Sequence, residues 1–492
     1  MELPEELRFE NLSTPHSAQL FTQKTQPVSF SQSQVRFEIP RRGILNSTAI
    51  LEWSFSPSGT TGVNGTTFPL NVGCMANIER AVLSTQSGRI IMDNRNFTQK
   101  QVCEETFRDG DYSHFLARYL NLSNHSYTYQ HPNEPTSAVA IDGRPHTKLR
   151  LSGEPITPTG AVSLDGTEFN VPPILSMGGT SAPAVSQSVR VSLQQLFPFL
   201  YGVQLPVNIM EQLYLDVYWR QDVSEGDVIV GRGTIGGENG NSYVAGGVVN
   251  QDDCFLISDH LVYDDPAVMD KITAHQEANG GLSFPFKDYV VQVVASTAPT
   301  DPTIQEYERE LGCSNYKLTD MRNIELIGIG GNTNAFFGKY YSNGINNRDI
   351  QLVLNDANLF PDNDKTQAEN YTELTKLYPN VLPYIPRPIY ATSVQQGNSP
   401  LPSSALQTFS GRDTQLISGQ SNIIAYQLKD IEGNAFQNGN TPIRMFYKKT
   451  KGGNTTAPQA DITTSSLQYF FVGYMRSFAV APSGRVIVSE FM

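Results

Sequence analysis

Apolar and polar residues alternate in short runs along the whole chain. Val35, Phe37 and Ile39 alternate with Arg36 and Glu38, and Leu51, Trp53 and Phe55 with Glu52 and Ser54. Val189, Val191 and Leu193 are interleaved with Arg190 and Ser192, and Leu213, Leu215, Val217 and Trp219 with Tyr214, Asp216, Tyr218 and Arg220. The second half does the same in Tyr289–Val294, Ile350–Leu354, Ile443–Tyr447, Tyr469–Val472 and Arg485–Val488. A strand turns successive side chains to opposite faces, so each run predicts a strand with one face buried. Helical patterns are few. Asp265-Pro266 opens Ala267–Gln276 and Asp301-Pro302 opens Thr303–Leu311, where Asp can cap and Pro fits the first turn. Lys365–Tyr378 and Lys100–Tyr119 are the other candidates. The strand–helix alternation of a parallel sheet is absent.

At 492 residues the chain exceeds what one core usually organises, and two domains of roughly 200–250 residues are expected. Together with the strand runs this predicts an all-β fold of two tandem antiparallel jelly-roll sandwiches with short helices and long loop insertions. Residues 56–72, 131–187, 223–251, 393–411 and 448–464 are rich in Gly, Ser, Thr, Asn and Pro and carry few strand signals. Loops this long usually bind something or build an outer surface. For 223–251, where Gly231, Gly233, Gly236, Gly237, Gly240, Gly246 and Gly247 crowd together, a mobile linker is the alternative. Two short segments hint at duplication: Met75-Ala76-Asn77-Ile78-Glu79 and Met321-Arg322-Asn323-Ile324-Glu325 both lead into strand-like runs. Each half also closes on an aromatic-rich strand, Leu213–Arg220 and Leu467–Tyr474.

Charge narrows the function classes. Lys and Arg total 35 against 48 Asp and Glu, a net −13, which argues against counterion-releasing nucleic-acid binding as the main task. Residues Met1–Pro27 hold four acidic and two basic residues, so no basic arm is present to neutralise a genome. Aromatics at 10% supply enough bulk for cores, which makes disorder a poor alternative. Cys74, Cys103, Cys254 and Cys313 are widely spaced without a C-x-x-C, and read as reduced, buried thiols rather than a disulfide or zinc framework. No signal peptide is visible at Met1 and no apolar run approaches the ~20 residues of a transmembrane helix, so the expectation is a soluble protein made in a reducing compartment.

Catalytic and ligand motifs do not emerge. Gly328-Ile329-Gly330-Gly331-Asn332 and the 231–247 glycines lack the Gly-Lys-Ser/Thr that cradles phosphate, and read as turns. His16, His114, His125, His131, His146, His260 and His275 show no metal spacing. His125-Ser126-Tyr127-Thr128-Tyr129-Gln130-His131 is read as a surface loop, with ligand binding as its alternative. The pairs Asp264-Asp265, Asp252-Asp253 and Glu104-Glu105 do not suit a glycosidase, because neighbours in a strand face opposite ways; they read as solvated charges or helix caps. Asn-x-Ser/Thr sequons at Asn11, Asn46, Asn64, Asn96, Asn121, Asn124, Asn370 and Asn454 follow from composition, and N-glycosylation is not expected. The sequence therefore offers no catalytic, cofactor-binding or metal-binding residue, and no enzyme is expected.

One segment resembles a known family. Val189-Arg190-Val191-Ser192-Leu193-Gln194-Gln195-Leu196-Phe197-Pro198-Phe199-Leu200-Tyr201-Gly202, then Leu205-Pro206 and the strand Gln212–Arg220, is similar to the end of the first jelly roll in double jelly-roll major capsid proteins, closest in style to those of virophages and polinton-like viruses. Leu261-Val262-Tyr263-Asp264-Asp265 with its capped helix, then Tyr289-Val290-Val291-Gln292, resembles the family's crossing between domains, and Phe37–Leu45 resembles its opening strands. The resemblance spans the chain in layout and a smaller part of it in recognisable residues. It implies an arm at 1–27, a first jelly roll with insertions at 28–264, a connecting helix at 265–280 and a second jelly roll at 281–492. It also implies a homotrimeric, pseudo-hexagonal capsomer that tiles an icosahedral shell of a double-stranded DNA virus. The implied partners are neighbouring capsomers, penton and minor or cement proteins, with no sequence-specific nucleic-acid contact; the implied place is the virion, after synthesis in a host cell. Two other readings stay open: a β-sandwich adhesin binding carbohydrate through Tyr/Asn-rich loops, and a carbohydrate-active enzyme whose carboxylates only the fold would bring together.

Overall fold

Antiparallel pairing of the period-two runs organises both halves. The structure is a computed structural model and describes residues 17–60, 65–67, 72–105, 187–201, 203–220, 228, 230–232, 244–296, 305–313, 316–327, 340, 347–354, 357–358, 377, 423–428, 436–437, 442–449 and 466–490.

The first half holds β1 (Ala18–Thr25), β2 (Ser29–Phe30), β3 (Gln34–Glu38), β4 (Ile44–Leu45), β5 (Ile50–Thr60), β6 (Gly65–Thr67), β7 (Ile78–Thr85), β8 (Ile90–Arg95) and the helix α1 (Phe97–Glu105). It continues with β9 (Gln187–Ser192), the one-turn helix α2 (Leu193–Leu196), β10 (Leu213–Trp219), β11 (Val230–Arg232) and β12 (Val244–Tyr263). One sheet runs β1-β12-β5-β9 with β4 on β12, the other β2-β3-β10-β7-β8, and β6 pairs with β11. The alternation read in the sequence is what fills the space between them. Val35, Phe37, Leu51, Trp53, Phe55, Val189, Val191, Leu213, Leu215 and Val217 are all buried in one core, where the Trp53 and Trp219 rings lie 5.4 Å apart.

The helix α3 (Pro266–Ala278), capped by the Asp265 side chain on Ala267 N–H, leads into the second half. There follow β13 (Leu282–Ser296), β14 (Gln305–Leu311), β15 (Lys317–Ile327), β16 (Asn347–Leu354), β17 (Ala357–Asn358), β18 (Ile423–Gln427), β19 (Phe436–Gln437), β20 (Ile443–Lys449), β21 (Ser466–Val480) and β22 (Val486–Glu490). The sheets run β13-β21-β15-β18, with β19 on β15 and β22 on β21, and β14-β20-β16-β17. Without the side strands β19 and β22, this is first-eighth-third-sixth against second-seventh-fourth-fifth, the wrap of a jelly roll. The Met-x-Asn-Ile-Glu segments take like places: one runs into β7 beside β10, the other lies in β15 beside β21. All pairings given by register among the described residues are antiparallel.

Several expectations change. The helix at Thr303–Leu311 is a strand from Gln305 onward: Tyr307, Arg309 and Leu311 sit opposite Tyr447, Met445 and Ile443, and pairing overrides the helix-forming glutamates. Leu193 ends no strand; Ser192 accepts a bond from Gln195 N–H and starts α2. The expected arm, 1–27, is in part a strand, because Ala18–Thr25 pairs with Leu256–Tyr263 at a sheet edge. The loops 56–72 and 223–251 also contribute strands, at the end of β5, in β6 and β11, and in the first eight residues of β12. Phe55 explains a glycine there: a Cβ on Gly247 would overlap the Phe55 ring. Gly247→Ala is therefore expected to cost roughly 1–3 kcal/mol in urea denaturation, by forcing that ring off its rotamer. Of the expected helix Lys100–Tyr119, the part through Glu105 lies in α1, which begins earlier, at Phe97. Outside the described residues lie the rest of that segment, Lys365–Tyr378 apart from Leu377, and the loops 131–186, 393–411 and 450–464.

Candidate functional site: the joint between the sandwiches

The run Tyr469-Phe470-Phe471-Val472 is apolar at every position because its sheet is buried on both faces. Phe470, Val472 and Tyr474 point inward, with Met321, Met445 and Tyr447, into the second sandwich's own core. Tyr469 and Phe471 point outward with Ile324 and Leu326, and Val72, Ala76, Val102 and Cys103 of the first half cover them. The long strands β13 and β21 also serve two cores along their length. At one end, Leu282, Phe284, Phe286, Phe478 and Val480 join the first half's core, where Phe199 lies 5.2 Å from Phe286 and 5.8 Å from Phe478.

Polar stitches fix the same joint. Glu211 accepts bonds from Val486 N–H at 2.7 Å and Ser87 N–H at 3.0 Å, and its own N–H donates to the Gly484 carbonyl. Arg89 donates to the Val486 carbonyl and Arg476 to that of Ile91. The Gln276 amide donates to the carbonyls of Val480 and Ala481. Burial pushes the Glu211 carboxyl up, but the bonds from Val486, Ser87 and Thr85 outweigh it and hold it below its ordinary range. A carboxyl depressed by folding stabilises above its unfolded pKa and loses that contribution as pH falls through the folded one. Glu211→Gln is thus expected to flatten the acid limb of the stability–pH curve and to cost about 1–3 kcal/mol at neutral pH, through the bond the amide cannot accept. An unchanged acid limb in calorimetry would contradict this role.

Beside the outward-facing aromatics lies an ionic cluster. Asp320, 1% exposed, pairs with Lys287 and with Arg322 at 3.0 Å and accepts from Thr319 Oγ1 at 2.6 Å. Burial raises the Asp320 carboxyl, but Lys287 and Arg322 pull it down to about 2. Burial draws the Lys287 ammonium down to about 8 against the pull of Asp320. Lys100 and Lys287 stand over the Tyr289 ring at 4.2 and 4.9 Å from its centroid, and Arg322 at 5.6 Å. Gly473 makes room for all this, since a Cβ there would overlap Asp320 and Thr319. Beside Lys287, Tyr289 and Arg322, a cleft of about 350 Å³ opens against Gln194, Gln195, Pro198, Phe199 and Tyr201 of the first half.

None of these residues was a candidate from sequence, where the expected list of site residues is empty. Lys287, Asp320 and Arg322 sit among other polar residues of their strands, such as Asp288, Asn323 and Glu325, so nothing in the sequence sets them apart. The residues weighed in the sequence take ordinary places. Asp264 accepts from Ser17 and from Gln19 at 2.9 Å, Asp253 from Ser54, and Asp265 caps α3. His260 is buried against Ser258 Oγ at 2.9 Å, and burial holds it below its ordinary pKa. All four cysteines are buried and none is in a disulfide, and burial pushes the thiols of Cys254 and Cys313 up to about 12 and about 11. His16, His114, His125, His131, His146 and Gly328–Asn332 lie outside the described residues, as do Asn11, Asn64, Asn121, Asn124, Asn370 and Asn454. Among the described residues no group of three or more His, Cys, Asp or Glu is placed to hold a metal, and no helix is long and apolar enough to cross a membrane.

No protein-family model matches the chain. No curated protein matches it either. Solved structures do. The cryo-electron-microscopy structure of the Sputnik virophage matches with a TM-score of 0.58 at 12% identity, over 100% of this chain and 93% of that one. The mavirus major capsid protein matches with a TM-score of 0.53 at 10% identity, over 100% and 92%. PBCV-1 VP54, fitted into a reconstruction of Sputnik, matches with a TM-score of 0.53 at 11% identity, over 98% and 99%. The two sandwiches and their joint therefore make one fold, the double jelly roll seen in these capsid chains.

Proposed function

We propose that this chain is the major capsid protein of an icosahedral double-stranded DNA virus of the virophage kind, a structural subunit rather than an enzyme. The observation that carries the reading is the end-to-end match of both sandwiches to the Sputnik and mavirus chains, with nothing large left over on either side. Residues 28–264 and 281–492, bridged by 265–280, act as two similar wedges. Three chains then present six alike sectors to a hexagonal lattice from a closed threefold ring. The joint supports this, because cores, hydrogen bonds and the Lys100–Tyr289 cation–π contact shared between the halves make each subunit a single stiff tile. A partner for the outward sheet face is supported by Val293 and Leu467, which extend the Tyr469–Phe471 surface yet remain 44% and 46% exposed. In this reading the tiles meet penton and minor proteins in the virion, and the acidic surface leaves the genome to others.

Native mass spectrometry of the purified chain tests the subunit count. The expected species at micromolar concentration has three times the 54.4 kDa mass of one chain. A monomer that persists under those conditions counts against the proposal.

A further inference from the structure

β13 is an edge strand: among the described residues it pairs with β21 alone. Pro285 has no N–H, and the Tyr289 N–H donates to the carboxylate of Asp288. Both positions therefore turn their backbone away from β21, and by the period of two so do Val291, Val293 and Ala295. An open edge invites another strand, and proteins blunt it with proline, charge or a local cap. The end of β13 that packs into the first half's core has all three, in Pro285, Lys287 and the Asp288–Tyr289 bond. The stretch Val291–Ala295 has none of them. The N–H and C=O groups of Val291, Val293 and Ala295 have no hydrogen-bond partner among the described residues.

Side chains mark the same place. Val293 lies opposite Tyr469 and Ala295 opposite Leu467, on the outward face of the sheet. Val293, Leu467 and Ala295 are all exposed. The strip continues the Tyr469–Phe471 surface past the point where Val72, Ala76, Val102 and Cys103 of the first half cover it. An interface that begins inside the chain thus runs out onto an open, apolar strand edge.

Two features point to a second copy of this chain as the occupant. The strip is continuous with a contact that one sandwich already makes to the other, and in a closed ring each second sandwich meets the next copy's first sandwich. Each copy also carries a net −13, so copies meet best where no carboxylate is presented, and Val291, Val293, Ala295 and Leu467 form such a strip.

We propose that a strand from a neighbouring copy adds to β13 at Val291–Ala295, pairing with its free N–H and C=O groups while its apolar side chains cover Val293 and Leu467. This contact rests on the threefold ring proposed above, and adds where the ring closes and that backbone pairing closes it.

Hydrogen exchange of the wild-type protein at micromolar concentration, read residue by residue by fragmentation mass spectrometry, tests the pairing, with the native mass taken on the same sample. In the trimer the N–H groups of Val291, Val293 and Ala295 are expected to exchange as slowly as those of Val290 and Val294, whose backbones face β21. Val293→Lys, at a half-exposed position, is expected to lose the trimer and leave a monomer with wild-type circular dichroism. A trimer in which the Val291, Val293 and Ala295 amides exchange at open-edge rates would overturn the contact and leave the trimer standing. A trimer retained by Val293→Lys would do the same. A wild-type monomer would overturn the contact together with the reading it rests on. The exchange rates decide even where Val293→Lys does not fold.

Discussion

Replacing Asp320 with alanine is expected to lower the stability of the protein by about 3–5 kcal/mol, because it leaves Arg322 buried and Lys287 partly buried without their carboxylate. For a chain of this size unfolding as one body that is a fall in Tm of roughly 1 °C per kcal/mol. The loss comes less from the missing attraction than from the charges left behind. Asp320→Asn keeps the shape and an acceptor for Lys287, so it is expected to cost less than alanine. The acid dependence follows from the same geometry. The carboxyl is held at about 2, so its contribution is complete above the ordinary carboxylate range and is lost progressively as pH falls from that range toward the folded value. Thermal melts of the three proteins at neutral pH read this directly. A loss under about 1 kcal/mol for Asp320→Ala would mean that the cluster is solvated and not a buried pair.

The second large effect concerns the coupling of the halves. Phe478 belongs to the second sandwich by sequence, yet it stacks on Phe284 at 4.8 Å and meets Phe199 of the first half. Phe478→Ala is expected to cost about 3–5 kcal/mol through lost burial and the cavity that remains. The chain's two tryptophans, Trp53 and Trp219, both lie in the first half's core, so their fluorescence reports that half alone. Urea unfolding followed by tryptophan emission is expected to show a lower midpoint in Phe478→Ala, even though the substitution lies in the other sandwich. An unmoved midpoint with a normal slope would show that the two sandwiches unfold as separate bodies.

Strands carried most of what the sequence made legible. Trp53, Leu215 and Val191 alternate with polar neighbours, and each lies inside, because one-sided burial writes its own period into the chain. The same logic fails for β14, where Glu306, Glu308 and Glu310 suggest a helix until the pairing with β20 is known. It also fails for the glycines of β12, since Gly247 reads as a linker residue unless the ring of Phe55 is seen over it. The joint was harder to read for a different reason. Lys287 and Asp320 are 33 positions apart in sequence and become neighbours only because β21 holds their strands side by side, with Gly473 opposite both Tyr289 and Asp320. The family resemblance rested on the stretch around Gln195 and on the crossing near Asp265, two places where the structure packs the halves together.

The central claim is that one chain supplies two like sectors of a threefold tile. Negative-stain electron microscopy with class averaging of the purified protein tests it most directly. The account predicts particles with threefold symmetry and a pseudo-hexagonal outline, six lobes from three chains. Single two-lobed particles, or closed rings of any other order, would contradict it.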